Sequence, residues 1–344
     1  MMRCLLLIFL CALSSAVHAQ FSAMFWNVEN FFDTRHDSLK MDSAFLPSSV
    51  RKWNSSKYKK KVAQVARVLV SSHGWDPPVL VGLCEVENEY VMKSLVDYGP
   101  LSKLGYRYVI TASDDVRGID VALVYRRDRF KLLGYQSVRV DVPDRPTRDI
   151  LHVTGRLLDT DTLDVVVAHL PSKVSGRKSE YKRRLVAERL KMLSDSISAV
   201  RKHPRILLMG DFNDGPNSDA IRNILKALPP SQEPIEPDRL YHLLHDKVKG
   251  RDVGSYKYKG RWELLDHLIV SGSLLDSSSS FYTSEASAQI LQLPFLLIPD
   301  EKFGGDKPFR TYNGLRYQGG YSDHLPVLVE FQEVLDWNNP PSSD

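Results

Sequence analysis

Side chains suited to acid–base or metal chemistry recur at one kind of place in this sequence, at the ends of short apolar runs. Asp211 and Asn213 follow the run 205–209, inside the turn-forming stretch Gly210-Asp211-Phe212-Asn213-Asp214-Gly215-Pro216. Glu85 follows 79–84, His169 ends 165–168, and Asp120 opens 121–125. Asn27 follows Phe25-Trp26, Asp266 sits inside 265–270, and Asp323-His324 stand just before 326–331. Each alone has a structural reading: an Asx turn for Asp211, a solvated strand end for Glu85, a packed histidine for His169. As a set they point to one convergent site, because a carboxylate on a buried strand is expensive unless it meets a cation or water. Oxygen donors without a Cys/His cluster suit a hard cation, Mg²⁺ or Mn²⁺. A hard cation with two histidines suits attack of water on phosphorus. Asp120 is placed where it could orient His169.

The elements that must carry these residues alternate. Apolar runs bounded by turn residues predict strands over 22–26, 79–84, 106–111, 121–125, 163–168, 205–209, 265–270 and 326–331. Apolar stripes at helical spacing predict helices over 57–70, 180–200 and, shorter, 219–228. The chain is therefore an α/β protein. The Ser277–Ser280 run is read as a surface loop, since the chemistry spans it, and residues 20–333 as a single domain followed by a polar tail, 334–344.

Residues 1–19 carry Arg3, an apolar run over 5–13 and small residues at Val17 and Ala19, the layout of a cleavable signal peptide. Export to the periplasm or beyond is the expectation, with no integral membrane segment left after cleavage. Of Cys4, Cys11 and Cys84, only Cys84 would remain, so no internal disulfide could form. The segment 291–299 with Phe295 is read as buried rather than as a membrane hairpin.

With 344 residues, 43% hydrophobic and 26% charged, the composition is globular and excludes collagen-like, coiled-coil and disulfide-scaffold classes. A net charge of +4 does not by itself demand a polyanionic partner. Two local stretches are strongly basic, 51–61 and 173–189, with Tyr58 and Tyr181 among the charges. They fit either a nucleic-acid groove or a solvated helix face. Arg117, Lys182 and Arg183 are the candidate phosphate contacts.

Trp26-Asn27-Val28-Glu29-Asn30, the Glu85 strand end, His169, Gly210-Asp211-Phe212-Asn213, Asp266 and Ser322-Asp323-His324 occur in an order that resembles the endonuclease/exonuclease/phosphatase superfamily. The resemblance spans nearly all of the chain after residue 20. It implies a four-layer α-β-β-α sandwich with two packed mixed β-sheets. It also implies a metal site at Asn27, Glu85 and Asp323, with Glu85 the principal ligand. Asp211 would handle a proton and Asn213 would orient the phosphate or the nucleophile. His169 would donate to a phosphate oxygen, and His324, oriented by Asp266, would act as base or transition-state stabiliser. The activity implied is metal-dependent hydrolysis of phosphate esters, with nucleic acid as the leading substrate and a monomer expected. A phosphoesterase acting on phospholipid headgroups, in the manner of a sphingomyelinase, or on sugar or inositol phosphates, is the alternative. A binding protein that kept the fold without the chemistry is a third reading.

Overall fold

The structure, a computed structural model, describes residues 19–157, 161–232, 234–249 and 252–333. The expected signal peptide and polar tail lie outside these residues, apart from Ala19.

Strands that are apolar at successive positions must be covered on both faces. In β1 (Ala19–Phe31), Phe21, Ala23 and Phe25 belong to one core, and Met24, Trp26 and Val28 to another, as period-two alternation requires. The first sheet runs β13 (Phe281–Tyr282), β19 (Val327–Glu333), β1, β2 (Leu80–Val86), β4 (Asp120–Arg126), β3 (Tyr106–Ile110), and β14 (Ala288–Ile290) also pairs with β19. The second runs β5 (Phe130–Val138), β6 (Ile150–Leu157), β7 (Thr162–His169), β8 (Ile206–Asp211), β12 (Asp266–Ser271), β9 (Leu240–His242). Both are mixed: β1–β2 and β7–β8 are parallel, and their other neighbours are antiparallel.

Three cores define the layers. Phe25, Leu80, Val121 and Leu123 of the first sheet meet Val165, Val167, Met209 and Leu268 of the second. The outer face of the first sheet packs against Val62, Val65 and Leu69 of α1 (Ser55–Ser71) and Val91 and Leu95 of α2 (Glu89–Val96). The outer face of the second packs against Val186, Leu190, Leu193 and Ile197 of α3 (Arg177–Val200). The result is the four-layer α-β-β-α sandwich that the resemblance implied.

Short hairpins complete the rim: β10 (Tyr256–Tyr258) with β11 (Arg261–Glu263), β15 (Leu297–Pro299) with β16 (Asp306–Pro308), and β17 (Tyr312–Asn313) with β18 (Arg316–Tyr317). Leu291 and Leu296 are buried, and Phe295 lies against Tyr321 and beneath Arg67, so this segment is packed onto the domain. The expected helix over 219–228 is instead a π-helical turn, Ala220–Ile224. Among the described residues, no helix is long and apolar enough to cross a membrane. Cys84 is buried and free.

Candidate active site

Strand pairing alone aligns three of the expected residues. His169 is in register with Asp211 across the parallel β7–β8 pair, and Asp211 with Asp266 across antiparallel β8–β12. The approach at this end is close: a Cβ on Gly210 would lie 2.3 Å from the Ala168 carbonyl oxygen, so only glycine fits before Asp211. The first sheet delivers its residues to the same end, Asn27 at the C-terminal part of β1 and Glu85 on neighbouring β2. Ser322, just ahead of β19, ties the last segment down. Its hydroxyl donates to the Asn27 carbonyl at 2.6 Å and accepts the His324 amide at 3.0 Å.

Asn27, Glu85, Arg117, His169, Asp211, Asn213, Asp323 and His324 line one cleft of 400 Å³. Asp266 stands behind it, 0% exposed, and its Oδ2 accepts from His324 Nδ1 at 2.7 Å. The other Asp266 oxygen has no hydrogen-bond partner. With Nδ1 engaged, His324 presents Nε2 to the cleft, 3.8 Å from Asp211 Oδ2. His169 Nε2 lies 3.6 Å from the same oxygen. Asp211 is held in place on both sides: Asn27 Nδ2 donates to Oδ2 and the Asn213 amide to Oδ1, each at 2.9 Å. Asn213 Nδ2 donates to the Leu170 carbonyl at 3.0 Å, which fixes the turn after β8 against the turn after β7.

The electrostatics separate these groups. Burial lowers the basicity of His169 well below the ordinary range, with Arg148 and Arg117 adding to the effect, so its imidazole is neutral. Burial also acts against the charged form of His324, but Asp266 and Asp211 outweigh it and hold this histidine well above the usual value. Asp211 is pushed up to about 7, chiefly by burial, with His324 opposing and Asp266 reinforcing the rise. Burial pushes Glu85 up as well, yet Arg117 and the Asn30 amide hold it below the usual carboxylate range.

The donor set fits a hard divalent cation. Glu85 keeps its charge, its Oε2 accepting from the Asn30 amide at 2.8 Å and its Oε1 lying 3.5 Å from the Arg117 guanidinium. Glu29, Asp211 and Asp323 crowd the same end of the sandwich, and burial together with Asp323 pushes Glu29 up to about 7. Such an excess of carboxylates is relieved by a cation with oxygen ligands. Two tighter groups of possible ligand atoms exist among the described residues, Cys84 with His169 and Asp211, and Asp211 with Asp266 and His324. Glu85 and Asp323 belong to neither, and Asn27 turns its amide nitrogen to Asp211.

Three expected residues stand differently from the sequence reading. Asp120 does not orient His169: its Oδ1 accepts from Thr111 Oγ1 at 2.7 Å and from the Ser113 amide at 3.0 Å, and His169 Nδ1 has no partner. Its position at the start of β4 binds it to the chain leaving β3, on the other sheet. Arg183 is not a groove-wall cation; it is 6% exposed and donates to Asp214 Oδ2 at 3.1 Å. Lys182 is half-buried and lines an adjacent cleft rather than this one. In the other basic stretch, Lys61 is 1% exposed and donates to Thr311 Oγ1 at 2.8 Å, an interior role.

The structure also adds residues. Tyr256 and Tyr258 of β10 line the cleft, and the Tyr256 ring lies 4.9 Å from that of His324. Arg310 donates to Asp323 Oδ2 at 2.8 Å and to Glu29 Oε1 at 3.2 Å, holding the expected second metal-side acid. Arg148, 7% exposed, donates to Asp115 at 3.2 Å and to the Leu170 carbonyl at 2.7 Å. Glu29 could have been found in the sequence from its place in Trp26-Asn27-Val28-Glu29-Asn30; nothing in the sequence marks the others.

A family model described as the endonuclease/exonuclease/phosphatase family matches residues 22–333. No curated protein matches the sequence. Among solved structures, an endonuclease/exonuclease/phosphatase family protein from Bacteroides thetaiotaomicron is similar at 16% identity and TM-score 0.56, covering 96% of this chain and 100% of that one. A humanized D. rerio TDP2 is similar at 14% identity and TM-score 0.55, covering 91% and 98%. A B. thetaiotaomicron mannosyl-6-phosphatase is similar at 17% identity and TM-score 0.54, covering 90% and 99%.

Proposed function

The chain belongs to the endonuclease/exonuclease/phosphatase family, whose members are metal-dependent hydrolases of phosphate esters, and from that premise we propose that it is an exported phosphodiesterase that cleaves DNA or RNA. The observation that carries the reading is the buried Asp266–His324 pair at 2.7 Å, aimed across one cleft at Asp211 and His169.

In this reading the reacting phosphate sits between the two histidines and Asn213. Asp266 fixes the His324 tautomer, so Nε2 points at the phosphate and stabilises negative charge as it develops. His169, neutral, donates a second hydrogen bond to a phosphate oxygen. Asp211, oriented by Asn27 and the Asn213 amide, takes the proton from the attacking water or delivers one to the leaving oxygen. A divalent ion, Mg²⁺ or Mn²⁺, held by Glu85 with Asp323 and Asn27, would neutralise phosphate charge. Asn27 is then a shared residue, accepting the Glu29 amide at 2.9 Å while its nitrogen holds Asp211.

Tyr256 and Tyr258 on the cleft wall support a nucleic-acid substrate, since aromatic faces stack on bases irrespective of sequence. A similar solved structure, D. rerio TDP2, holds a single-strand DNA product. Sugar phosphates are the second reading, favoured by the similarity to the mannosyl-6-phosphatase. Export rests on the N-terminal pattern of residues 1–19.

The test is an assay of the purified protein with Mg²⁺ or Mn²⁺, and with EDTA, on plasmid DNA, single-stranded RNA, sphingomyelin, an inositol phosphate and mannose 6-phosphate. The expected result is EDTA-sensitive nicking that His324→Ala abolishes. Intact nucleic acid with phosphate or phosphocholine released from another substrate would overturn the nuclease reading while keeping the site.

A further inference from the structure

Beside the catalytic cleft lies a second one, 380 Å³, lined by Arg117, Arg145, Thr147, Arg148, Lys178 and Lys182. Arg117 and Ser172 line both clefts, so the two are continuous. The cations come from three separate segments: the loop before β4, the turn before β6 and the first turns of α3. Two acids, Asp115 and Asp144, also line it, and Asp115 is already paired with Arg148 at 3.2 Å. The cleft is therefore strongly cationic.

Arg117 meets Glu85 at 3.5 Å and Arg148 meets Asp115 at 3.2 Å, but among the described residues no ion pair engages Arg145, Lys178 or Lys182, and two features favour an anion beside them. The start of α3 carries Arg177, Lys178 and Lys182 against Glu180, and its N-cap residue, Gly176, has no side chain with which to cap it. Cations at the positive pole of a 24-residue helix oppose the helix dipole, an arrangement that an anion would reverse into a favourable one. Independently, Thr147 Oγ1 and Arg148 Nε are buried without a hydrogen-bond partner. Their residues, 6% and 7% exposed, form the floor of this cleft. Unpaired buried polar atoms beside a glycine-capped helix start and a ring of cations are the chemistry of an anion site.

We propose that this second cleft is a phosphate subsite, which holds a phosphate of the substrate other than the one that reacts. The inference rests on the phosphoesterase reading above and narrows it: the preferred substrate carries at least two phosphates. These are either successive phosphodiesters of a strand or two phosphomonoesters on one small molecule.

The test uses Arg145→Ala/Lys178→Ala, two exposed positions outside the catalytic cleft. Hydrolysis of tetrathymidylate is compared with that of bis(p-nitrophenyl) phosphate, which has no second phosphate. The variant should lose roughly fivefold in kcat/KM on tetrathymidylate, through KM, with a shallower salt dependence and no loss on the single-phosphate ester. Equal loss on both esters, or none on either, would overturn the subsite. In parallel, tetrathymidylate and glucose 1,6-bisphosphate are titrated in EDTA against both proteins. Weaker binding of one probe to the variant assigns its source as strand or small molecule; unchanged binding of both overturns the proposal. Failure of the wild type to hydrolyse any phosphate ester would sink the phosphoesterase reading instead, and the EDTA titration would still decide the subsite by itself.

Discussion

Replacing Asp266 by asparagine tests the catalytic reading at the position where shape can be kept and charge removed. The carboxylate is 0% exposed, one oxygen has no partner, and the other takes His324 Nδ1 at 2.7 Å. Its side-chain hydrogen bond therefore goes to His324. An amide at this site presents a donor or a neutral acceptor. If it donates, the imidazole proton moves to Nε2 and the ring becomes neutral; if it accepts, the charge that supported the imidazolium is gone. A hydrogen bond to a charged group contributes about 1.5–3 kcal/mol, which alone is roughly 10- to 150-fold in rate. Loss of the imidazolium's support adds to that, so kcat should fall about 10²- to 10³-fold with KM little changed. Stability should change little, because the substitution also removes a desolvated charge. The assay is steady-state hydrolysis of bis(p-nitrophenyl) phosphate alongside thermal unfolding, with the low-field Nδ1 proton of His324 followed by NMR. A kcat within threefold of wild type, or a rate loss matched by unfolding, would refute the reasoning.

Other consequences follow from the same geometry. Burial pushes Asp164 up, but His152 Nε2 at 2.9 Å, Arg201 Nε at 2.9 Å and Thr154 Oγ1 at 2.7 Å overcome this and hold it at about 2. Its folded value is depressed, so its stabilisation is complete above about pH 4 and is lost as pH falls through about 2; Asp164→Asn should cost about 2 kcal/mol at neutral pH and flatten the acid limb of an unfolding-against-pH curve. An acid limb unchanged in the variant would count against it. Mg²⁺ or Mn²⁺ at about 100 times its dissociation constant should stabilise the fold by roughly 2.7 kcal/mol, read as a rise in Tm, and Glu85→Gln should raise the concentration needed at least tenfold; equal titrations in both proteins would remove Glu85 from the site. Asp120→Asn should keep kcat within about threefold while lowering stability by roughly 1–3 kcal/mol, since its carboxylate serves Thr111 and Ser113. A hundredfold loss of kcat would restore it as the partner of His169.

What the sequence made legible is what burial dictates. The eight expected strands are all present because most are short runs covered on both faces, and such runs are apolar; β3, where Arg107 is exposed, departs from this. Of the strands it missed, the two longest, β5 and β6, lack that signature. β5 is exposed along most of its length, and β6 carries His152 and Thr154 toward the Asp164 network. α2 spans only eight residues, too short for its stripe to stand out. The Asp219–Leu228 pattern was apolar at helical spacing, but the chain makes only a single π-helical turn there.

Most residues of the candidate cleft stood out in the sequence for the complementary reason: a polar residue at the end of a buried run is conspicuous. Backbone conformation was not. Glu29, Asn30, Glu85 and Asn213 all adopt positive φ, between 51° and 62°, where glycine is comfortable and a glutamate is strained. That strain costs of order 1 kcal/mol or more per residue and survives only where neighbours over-determine it. Here they do: Glu85 by the Asn30 amide, Asn213 by Asp211 Oδ1 and the Leu170 carbonyl, Glu29 by Asn27 Oδ1 and the Thr311 amide. Asp120 shows the converse. It opens a buried run where Glu85 follows one; Glu85 has φ 62° and lines the cleft, while Asp120 has no positive φ and accepts from Thr111. The positive φ at Glu85, held by the Asn30 amide from far away in the chain, is thus part of what separates the two positions, and no local pattern of residue types encodes it.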